Sequence, residues 1–369
     1  LNLIEETFDS IKKKSFLEYK KERYFSYKNT FSDTAFIEIN NSCNINCVMC
    51  DTKSSTRIKR VMKEEDFEKA LISIKSKGIK FVGLHTIGDP LANPKLEKYF
   101  FLLRKYEMNT ALSSNGLMLK KHLSTLKKYI DICSFLRFSI DGATKTTYEK
   151  IRAGGKWEDL VENFDIAVNE LLPLGYNLGA DLVITAENFD ELGKYITLFG
   201  SKLKFPYANI HFNFMNSLSP NNDYFIKNNV IPEHTYTNKY CEYVSRNLPY
   251  VLVDSNVSVC CRDYDGSLTI GSLNKSKNLS DVFNNDKLKD LQKAHENEKT
   301  NSMGDYNLCS SCYVTDNRIQ QIWTKALSYL IFKNQNESAE FYQKKMDLML
   351  KFIKTVDKDN FLKVLKTSF

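Results

Sequence analysis

Residues 41–50 read Asn-Ser-Cys-Asn-Ile-Asn-Cys-Val-Met-Cys, which places Cys43, Cys47 and Cys50 in a C-x3-C-x2-C spacing just after a short apolar segment. Three thiolates can hold three irons of a [4Fe–4S] cube, a group that four cysteines normally hold. The next cysteine along the chain is Cys133, so the loop leaves one iron open to a ligand from outside the protein. The spacing therefore predicts an open-site [4Fe–4S] cluster.

Two other interpretations of these three cysteines stay open at this point. A structural zinc ion also binds thiolates, although zinc knuckles usually combine a C-x2-4-C pair with two further Cys or His ligands at matching spacing. Unrelated free cysteines also pack in protein cores as small apolar residues. We prefer the cluster because the residues that flank the loop agree with it.

The cysteine loop resembles the fingerprint of the radical S-adenosylmethionine (SAM) superfamily. In that family the amino and carboxylate groups of SAM chelate the open iron, and the residue before the third cysteine, here Met49, lies against the adenine. The resemblance implies that the cluster delivers an electron and that SAM breaks into methionine and a 5′-deoxyadenosyl radical. That radical then removes a hydrogen atom from the substrate.

The composition is that of a globular protein, with 369 residues of which 42% are hydrophobic and 26% charged. The N-terminus lacks a signal-peptide pattern and no apolar run reaches membrane-helix length, so we expect a cytoplasmic protein without a membrane partner. Nine cysteines in such a chain favour metal ligation over disulfides. The net charge of +7 is scattered along helical patterns, which indicates a solvated surface and no nucleic-acid partner.

Short apolar segments alternate with amphipathic helical patterns, which predicts parallel βα units. We therefore expect an α/β fold, a partial (β/α)6 radical SAM barrel whose strand-end loops carry the chemistry. The predicted strands cover residues 35–39, 81–86, 109–113, 135–140, 178–185 and 209–214. The predicted domains are a helical lead-in (1–34), the barrel (35–216), a twitch/SPASM-like iron–sulfur domain (217–316) and a helical extension (317–369) with two amphipathic helices.

The loop after the second predicted strand contains Thr86, Gly88 and Asp89 in the run Thr-Ile-Gly-Asp-Pro. It resembles the Gly-Gly-Glu-Pro stretch that binds the SAM amino group in the family, although Gly-Asp-Pro by itself is a common turn. Aspartate is one methylene shorter than glutamate. The resemblance therefore implies a contact through Asp89 or through the backbone carbonyls of Thr86 and Gly88.

Later strand ends carry further segments that resemble SAM-binding positions of the family. As plain structure, Asn-Gly is a favoured turn, Arg152 would form a surface salt bridge and Ile184 would lie in the core. A planar guanidinium, however, pairs well with the methionyl carboxylate of SAM, and Val183 or Ile184 would line the adenine. The SAM contacts that the resemblance implies are Ser114, Asn115, Ser139, Asp141, Arg152 and Ile184. The strand histidines His85 and His211 read as structural residues.

Five cysteines follow the predicted barrel: Cys241, Cys260, Cys261, Cys309 and Cys312. Such a set can close around a second [4Fe–4S] cluster, and a four-thiolate zinc ion is the alternative. A cysteine, a hairpin with another, a short helix and a C-x2-C pair resemble the twitch layout of the SPASM/twitch subgroup, which binds one auxiliary [4Fe–4S] cluster.

Adjacent strand residues point to opposite faces, so Cys260 and Cys261 are not both expected to bind one cube. The resemblance favours Cys260 and keeps Cys261 as its reserve. The implied ligands are then Cys241, Cys260, Cys309 and Cys312, whereas Cys133 reads as a core residue.

Two clusters suggest electron flow from substrate to the auxiliary cluster. The layout resembles that of 2-deoxy-scyllo-inosamine dehydrogenase-like members, which implies two-electron oxidation of a sugar or aminocyclitol alcohol. Arg152 and Asp181 are the candidate catalytic residues, and a flavodoxin- or ferredoxin-type protein is the expected electron donor. The alternatives are a maturase that modifies a ribosomal peptide, redox-neutral carbohydrate chemistry (epimerisation, dehydration or decarboxylation), and a non-catalytic electron carrier.

Overall fold

The computed structural model describes residues 1–203, 209–217, 223–276, 278–297 and 306–367, without the side chain of Lys53. Parts of the predicted auxiliary domain (218–222, 277 and 298–305) and the last two residues of the predicted extension lie outside these ranges. Within them the chain forms one large mixed sheet flanked by helices, together with a separate two-stranded sheet.

Six parallel strands form the core of the large sheet and follow one another in sequence order. They are β1 (Thr34–Ile37), β2 (Phe81–Gly83), β3 (Asn109–Ser114), β4 (Cys133–Ser139), β5 (Asn177–Ile184) and β6 (Ile210–Phe214). Each lies on a predicted strand, which confirms the α/β class and the arrangement of a partial barrel. Because the strands are parallel, their carboxyl ends and the loops that follow meet at one edge of the sheet.

Side chains alternate across these strands as the pleat requires. In β5, Leu182 and Ile184 are fully buried, whereas Asp181 and Val183 lie on the opposite, partly exposed face. We call this second face the interior face, because it also carries polar residues of β4 and β6 that contact Asp181.

Helices alternate with the strands through the first half of the chain. They are α1 (Asn2–Lys13), α2 (Phe16–Tyr27), α3 (Glu64–Lys75), α4 (Leu96–Lys105), α5 (Leu119–Lys128), α6 (Lys145–Ile151), α7 (Trp157–Glu170) and α8 (Leu192–Tyr195). The segment after β5 is not one continuous α-helix: it consists of a 3-10 turn, Phe189–Glu191, followed by α8 and a π-helical segment, Ile196–Gly200. A Cβ on Gly193 would lie 2.1 Å from the carbonyl oxygen of Ala339, so glycine permits the close approach of a C-terminal helix.

The auxiliary region extends the same sheet. Strand β7 (Thr235–Thr237) pairs with β11 (Tyr313–Thr315) in the small sheet. Strand β8 (Tyr250–Val251) pairs in parallel with β1, and the antiparallel strands β9 (Asn256–Ser258) and β10 (Thr269–Ser272) follow it. The two predicted domains therefore share a continuous nine-stranded sheet within the described residues.

The remaining helices are α9 (Asp223–Asn228), α10 (Glu242–Ser245), α11 (Leu279–Phe283), α12 (Asp286–Glu296), α13 (Asn307–Ser310), α14 (Asn317–Lys333), α15 (Ala339–Lys354) and α16 (Lys358–Lys366). Helices α14 and α15 match the two that the sequence predicts, and α16 is additional. The two chain ends pack together, since the rings of Phe8 and Phe361 lie 5.2 Å apart and Lys358 pairs with Asp9 at 2.8 Å. Among the described helices, none is both long enough and apolar enough to cross a membrane.

Candidate active site

The cysteine loop follows β1 and is fixed to the end of α6 by its backbone. The amide of Asn46 donates to the carbonyl of Ala153 at 2.8 Å, and that of Val48 donates to the carbonyl of Ile151 at 2.9 Å. These bonds hold the loop at the carboxyl edge of the sheet, next to the loops that follow β2, β3 and β4.

Each of the three sulfurs in the loop has a polar neighbour. Asn115 Nδ2 lies 3.5 Å from Cys43 Sγ, Arg152 Nη1 lies 3.5 Å from Cys47 Sγ, and the Thr52 hydroxyl lies 3.0 Å from Cys50 Sγ. An amide N–H and a guanidinium stabilise thiolate sulfur, which is the form that binds iron. Two predicted SAM contacts, Asn115 and Arg152, therefore lie directly against the cysteine loop.

Burial alone opposes ionisation of these thiols. It raises the pKa of Cys43 to about 11 and also raises that of Cys47, where the charge of Arg152 acts in the opposite direction. Without a metal the thiols of Cys43 and Cys47 therefore stay protonated near neutral pH, and binding of a metal cluster has to release their protons.

The Asp89 carboxylate is buried and fully engaged by protein donors. It accepts hydrogen bonds from the Leu91 amide at 2.9 Å, the Asn115 amide at 2.7 Å and the Ser114 hydroxyl at 2.9 and 3.0 Å. Asp89 and Ser114 thus tie the loop after β2 to the loop after β3. This geometry favours the second of the two expected modes, in which backbone carbonyls of that loop hold the SAM amino group, and that mode is our proposal.

The backbone at Gly88 packs directly against the backbone at Asn40. A Cβ there would be 2.1 Å from the carbonyl oxygen of Asn40, so only glycine fits this approach. The side-chain amide of Asn40 also donates to the carbonyls of Ser42 and Asp89, at 2.8 and 3.1 Å. Thr86 turns its hydroxyl towards the buried Glu38 carboxylate, at 2.7 Å, so only its backbone remains for a SAM contact.

Arg152 and Asp141 form a buried ion pair. Arg152 Nη2 lies 2.5 Å from Asp141 Oδ2, and the side chains are 13% and 1% exposed. The amide of Val183 donates to Asp141 Oδ1 at 2.6 Å, and Asp141 has a φ of 64° in the left-handed region. Burial raises the pKa of Asp141, whereas Arg152 lowers it. The surface salt bridge considered for Arg152 is therefore wrong, and a contact with SAM stays a prediction.

The remaining predicted SAM contacts differ in position. Met49 is partly exposed in the cysteine loop, and Ser139 lies on β4 opposite Asp181 in the sheet register. Ile184, in contrast, is fully buried on the outward face of β5, so the adenine contact expected for it needs correction. Its neighbour Val183 occupies the interior face, because consecutive residues of a strand alternate.

The interior face carries a polar group that the sequence analysis largely missed. Arg137 Nη1 lies 3.3 Å from Asp181 Oδ2, and His211 Nδ1 lies 3.3 Å from Asp181 Oδ1. Burial and the charge of Arg137 lower the pKa of the nearby His85 to about 4, so this imidazole is neutral. The sequence analysis names Asp181 as a catalytic candidate and interprets His85 and His211 as structural, although the shared alternation of β4, β5 and β6 is the signal that groups these residues.

The second cysteine set surrounds one small cavity. It is lined by four cysteines from three parts of the chain: Cys241, Cys260, Cys309 and Cys312. These are the four predicted auxiliary ligands, and Cys261 is not part of this lining. Cys133 is fully buried in β4 and remote from both sets in its contacts, as a core residue would be.

The donor sets fit iron–sulfur units better than single ions. Among the described residues, no group of three or more His, Cys, Asp or Glu side chains is arranged around a single metal position. A zinc ion would need its sulfurs at about 2.3 Å from one point. The four cysteines nevertheless face a common space, and Asn238 Nδ2 donates to Cys241 Sγ at 3.4 Å and Cys312 Sγ at 3.7 Å.

Tyr250 lies between the two regions. Its ring stacks on Phe36 of β1 with centroids 5.0 Å apart and planes at 13°, and its hydroxyl shares a hydrogen bond with Cys261. Phe36 in turn contacts His85 edge-on at 5.5 Å. An unbroken set of contacts therefore joins the interior face to the auxiliary cysteines.

Comparison with known proteins supports both halves of this arrangement. A family model described as the radical SAM superfamily matches residues 37–197. A model described as an iron–sulfur cluster-binding domain, SPASM, matches residues 241–313. A search of curated proteins found no match.

Solved structures with a TM-score above 0.5 show the same fold at low sequence identity. Native anSMEcpe with bound AdoMet has a TM-score of 0.56 and 14% identity, over 82% of this chain and 100% of that one. Streptococcus suis SuiB bound to precursor peptide SuiA has a TM-score of 0.52 and 13% identity, over 70% and 66%. BtrN in complex with AdoMet and 2-DOIA has a TM-score of 0.49 and 18% identity, over 77% and 94%.

The two domains define the cofactors. A radical SAM domain implies a [4Fe–4S] cluster with SAM, and a SPASM domain implies auxiliary iron–sulfur clusters. The cysteine loop after β1 and the cysteine-lined cavity provide thiols for these groups. The chain therefore contains a radical SAM domain in its partial barrel and a SPASM-type iron–sulfur domain behind it.

Proposed function

We propose that this radical SAM enzyme oxidises an alcohol of a sugar or aminocyclitol to a ketone. The observation that carries the proposal is the carboxylate of Asp181, which lies on the interior face between Arg137 and His211. A base at this position can receive the hydroxyl proton of a substrate bound inside the barrel.

Asp181 and the cysteine loop are linked through a series of neighbouring charged side chains. The charge of Asp181 contributes to the raised pKa of Asp141, which pairs with Arg152 beside Cys47. Arg152 is held by these partners, so we assign it a positioning role rather than proton transfer. The guanidinium of Arg137 and the ring nitrogen Nδ1 of His211 both contact the carboxylate of Asp181, so they hold it in place on the interior face.

The redox balance of the proposed reaction needs both cofactor sites. SAM and a cluster held by the cysteine loop would supply the radical chemistry that removes the carbinol hydrogen, and a cluster held by the second cysteine set would supply an acceptor for the remaining electron. The hydroxyl proton passes to Asp181, and the C–O bond becomes a carbonyl. The contacts of Phe36 and Tyr250 support this electron route because they join the interior face to Cys261, next to the proposed ligand Cys260.

The test uses anaerobically reconstituted protein with SAM, dithionite and polyols that carry deuterium at the carbinol carbon. We expect deuterium in 5′-deoxyadenosine and one ketone per SAM consumed. Asp181→Asn should lower ketone formation by about 10²-fold or more, because it removes the base. The exposed Asp190→Asn on the following turn is the matched control and should leave the rate unchanged.

Other outcomes favour other reactions. Label in 5′-deoxyadenosine without net oxidation would indicate epimerisation, dehydration or decarboxylation of the carbohydrate. Absence of label with every polyol, together with label transfer from a peptide, would replace the proposal by peptide modification. Peptide modification is the second candidate because SuiB, which was solved with its precursor peptide, shares this fold.

A further inference from the structure

A second cavity lies beside the auxiliary cysteines, just beyond the carboxyl end of β6. Its volume is about 230 Å³, and its lining includes Asn216, Asn238, Cys241 and Arg262. Pockets for whole small molecules usually occupy about 300–1,000 Å³. The space therefore suits one end of a ligand rather than a complete one.

The lining of this cavity carries excess positive charge. Three cationic side chains border it, Lys20, Arg246 and Arg262, and Lys20 is only 5% exposed. The acidic residue in the lining, Glu242, already forms a bidentate pair with Arg23, at 2.7 and 2.9 Å. Glu242 also lies near Lys20 and Arg246, which lower its pKa together with Arg23. One carboxylate shared among these cations leaves the described lining with a net positive charge.

Three buried polar atoms on the cavity wall have no hydrogen-bond partner within the described chain. They are Asn238 Oδ1, Arg246 Nε and Arg262 Nη1. Asn238 is 8% exposed, and its amide nitrogen is directed to the sulfurs of Cys241 and Cys312. Its oxygen is thus left to accept a hydrogen bond from something other than the cysteines. Buried polar atoms without partners are costly, so a bound group that satisfies them is favoured.

We infer that this cavity binds an anionic group that also carries a hydroxyl, such as the phosphate ester or carboxylate end of a polyol. Arginine and lysine donate to the anionic oxygens, and Asn238 Oδ1 accepts from the hydroxyl. That the group belongs to the substrate rests on the proposed function; its support is that Asn216, in the lining, follows the carboxyl end of β6. The anion site itself does not depend on the reaction.

Variants of Lys20 give the clearest test. Arg262 also borders the cysteine-lined cavity, and Arg246 holds Ser32 and packs on Tyr27, so changes there would disturb other contacts. Lys20→Met removes one cation and keeps the apolar stem. Lys21→Met, at the exposed neighbouring position of α2, is the matched control.

The measurement is anaerobic titration calorimetry of the reconstituted full chain with glycerol 3-phosphate, glycerate and glycerol. We expect at least one of the two anions to bind saturably and at least about tenfold more tightly than glycerol, since charge-assisted bonds carry the affinity. Lys20→Met should weaken that binding by about tenfold, and Lys21→Met should not.

Phosphate-selective or carboxylate-selective binding would each support the site and name its anion. No saturable binding of either anion would overturn it, as would unchanged affinity in Lys20→Met with the iron content intact. Because no turnover is involved, a failed oxidation assay with intact anion binding would remove only the proposed reaction.

Discussion

The two cysteine regions of this molecule both bring thiols together, but the first does so within one loop and the second from three separate segments of the chain. Cys43, Cys47 and Cys50 come from one loop, and neighbouring strand-end loops provide its polar support. The second set is assembled from the start of α10, the turn after β9 and the C-x2-C pair around α13. A local set can present three thiols and leave space for an outside ligand, whereas a dispersed set can enclose its metal group.

The comparison also explains the position of the active site. The first region stands at the carboxyl edge of parallel strands, where a substrate can enter between loops. The second region extends that sheet through β8 and reaches the interior face through Tyr250 and Phe36. In the proposed reaction, the first region would face the substrate and the second would receive an electron from it.

The largest expected effect is a difference in SAM cleavage between variants of the first and the second cysteine region. Cys47→Ala should reduce 5′-deoxyadenosine formation to background, because the first cluster loses a ligand. Cys309→Ala should retain SAM cleavage and lose the oxidised product, because only the electron acceptor is damaged. Chromatographic assay of 5′-deoxyadenosine and product in both variants checks this. Equal loss of SAM cleavage in both would contradict the division of roles.

The next effect concerns the buried support of the first region. Asp141→Asn leaves Arg152 buried without its partner, so the free energy of unfolding should fall by about 3–5 kcal/mol. Lys127→Met breaks an exposed pair with Glu170 and should cost no more than about 1 kcal/mol. Urea denaturation of the metal-free protein measures both. A loss below 1 kcal/mol for Asp141→Asn would show that the pair is not buried as described.

The smallest effect is a pH dependence of the metal-free protein. The pKa of Cys43 is raised to about 11 in the folded state, so between about pH 9 and 11 the unfolded chain holds fewer protons at this thiol. Stability should then fall as pH rises, by up to about 1.4 kcal/mol per pH unit for one thiol. Urea titrations at several pH values, compared between wild type and Cys43→Ala, measure it. An identical slope in the variant would contradict the burial of Cys43.

Sequence reasoning predicted most of the fold because it depends on local patterns. The alternation of apolar segments and helices located six strands, and the spacing of three cysteines located the first region. Each of these patterns is formed by residues that lie close together in the sequence.

The features that sequence reasoning did not predict depend on contacts between segments that are distant in the sequence. The sequence near Tyr250 does not indicate that β8 pairs with β1. Parallel strands are joined by long connections, so no turn close in sequence marks the pairing. The pair of Asp181 with His211 and Arg137 joins three strands, and single strand histidines look structural when read alone. Val183 and Ile184 were both considered for the adenine contact, because alternation along a strand defines two faces without showing which of them faces inward.

The most direct test of the central claim is electron paramagnetic resonance of the reduced first cluster in Cys309→Ala protein, prepared without oxygen, before and after SAM is added. This account predicts one [4Fe–4S] signal whose g-values and line shape change with SAM, because the open iron gains a ligand. A cluster signal that SAM leaves unaltered would contradict it.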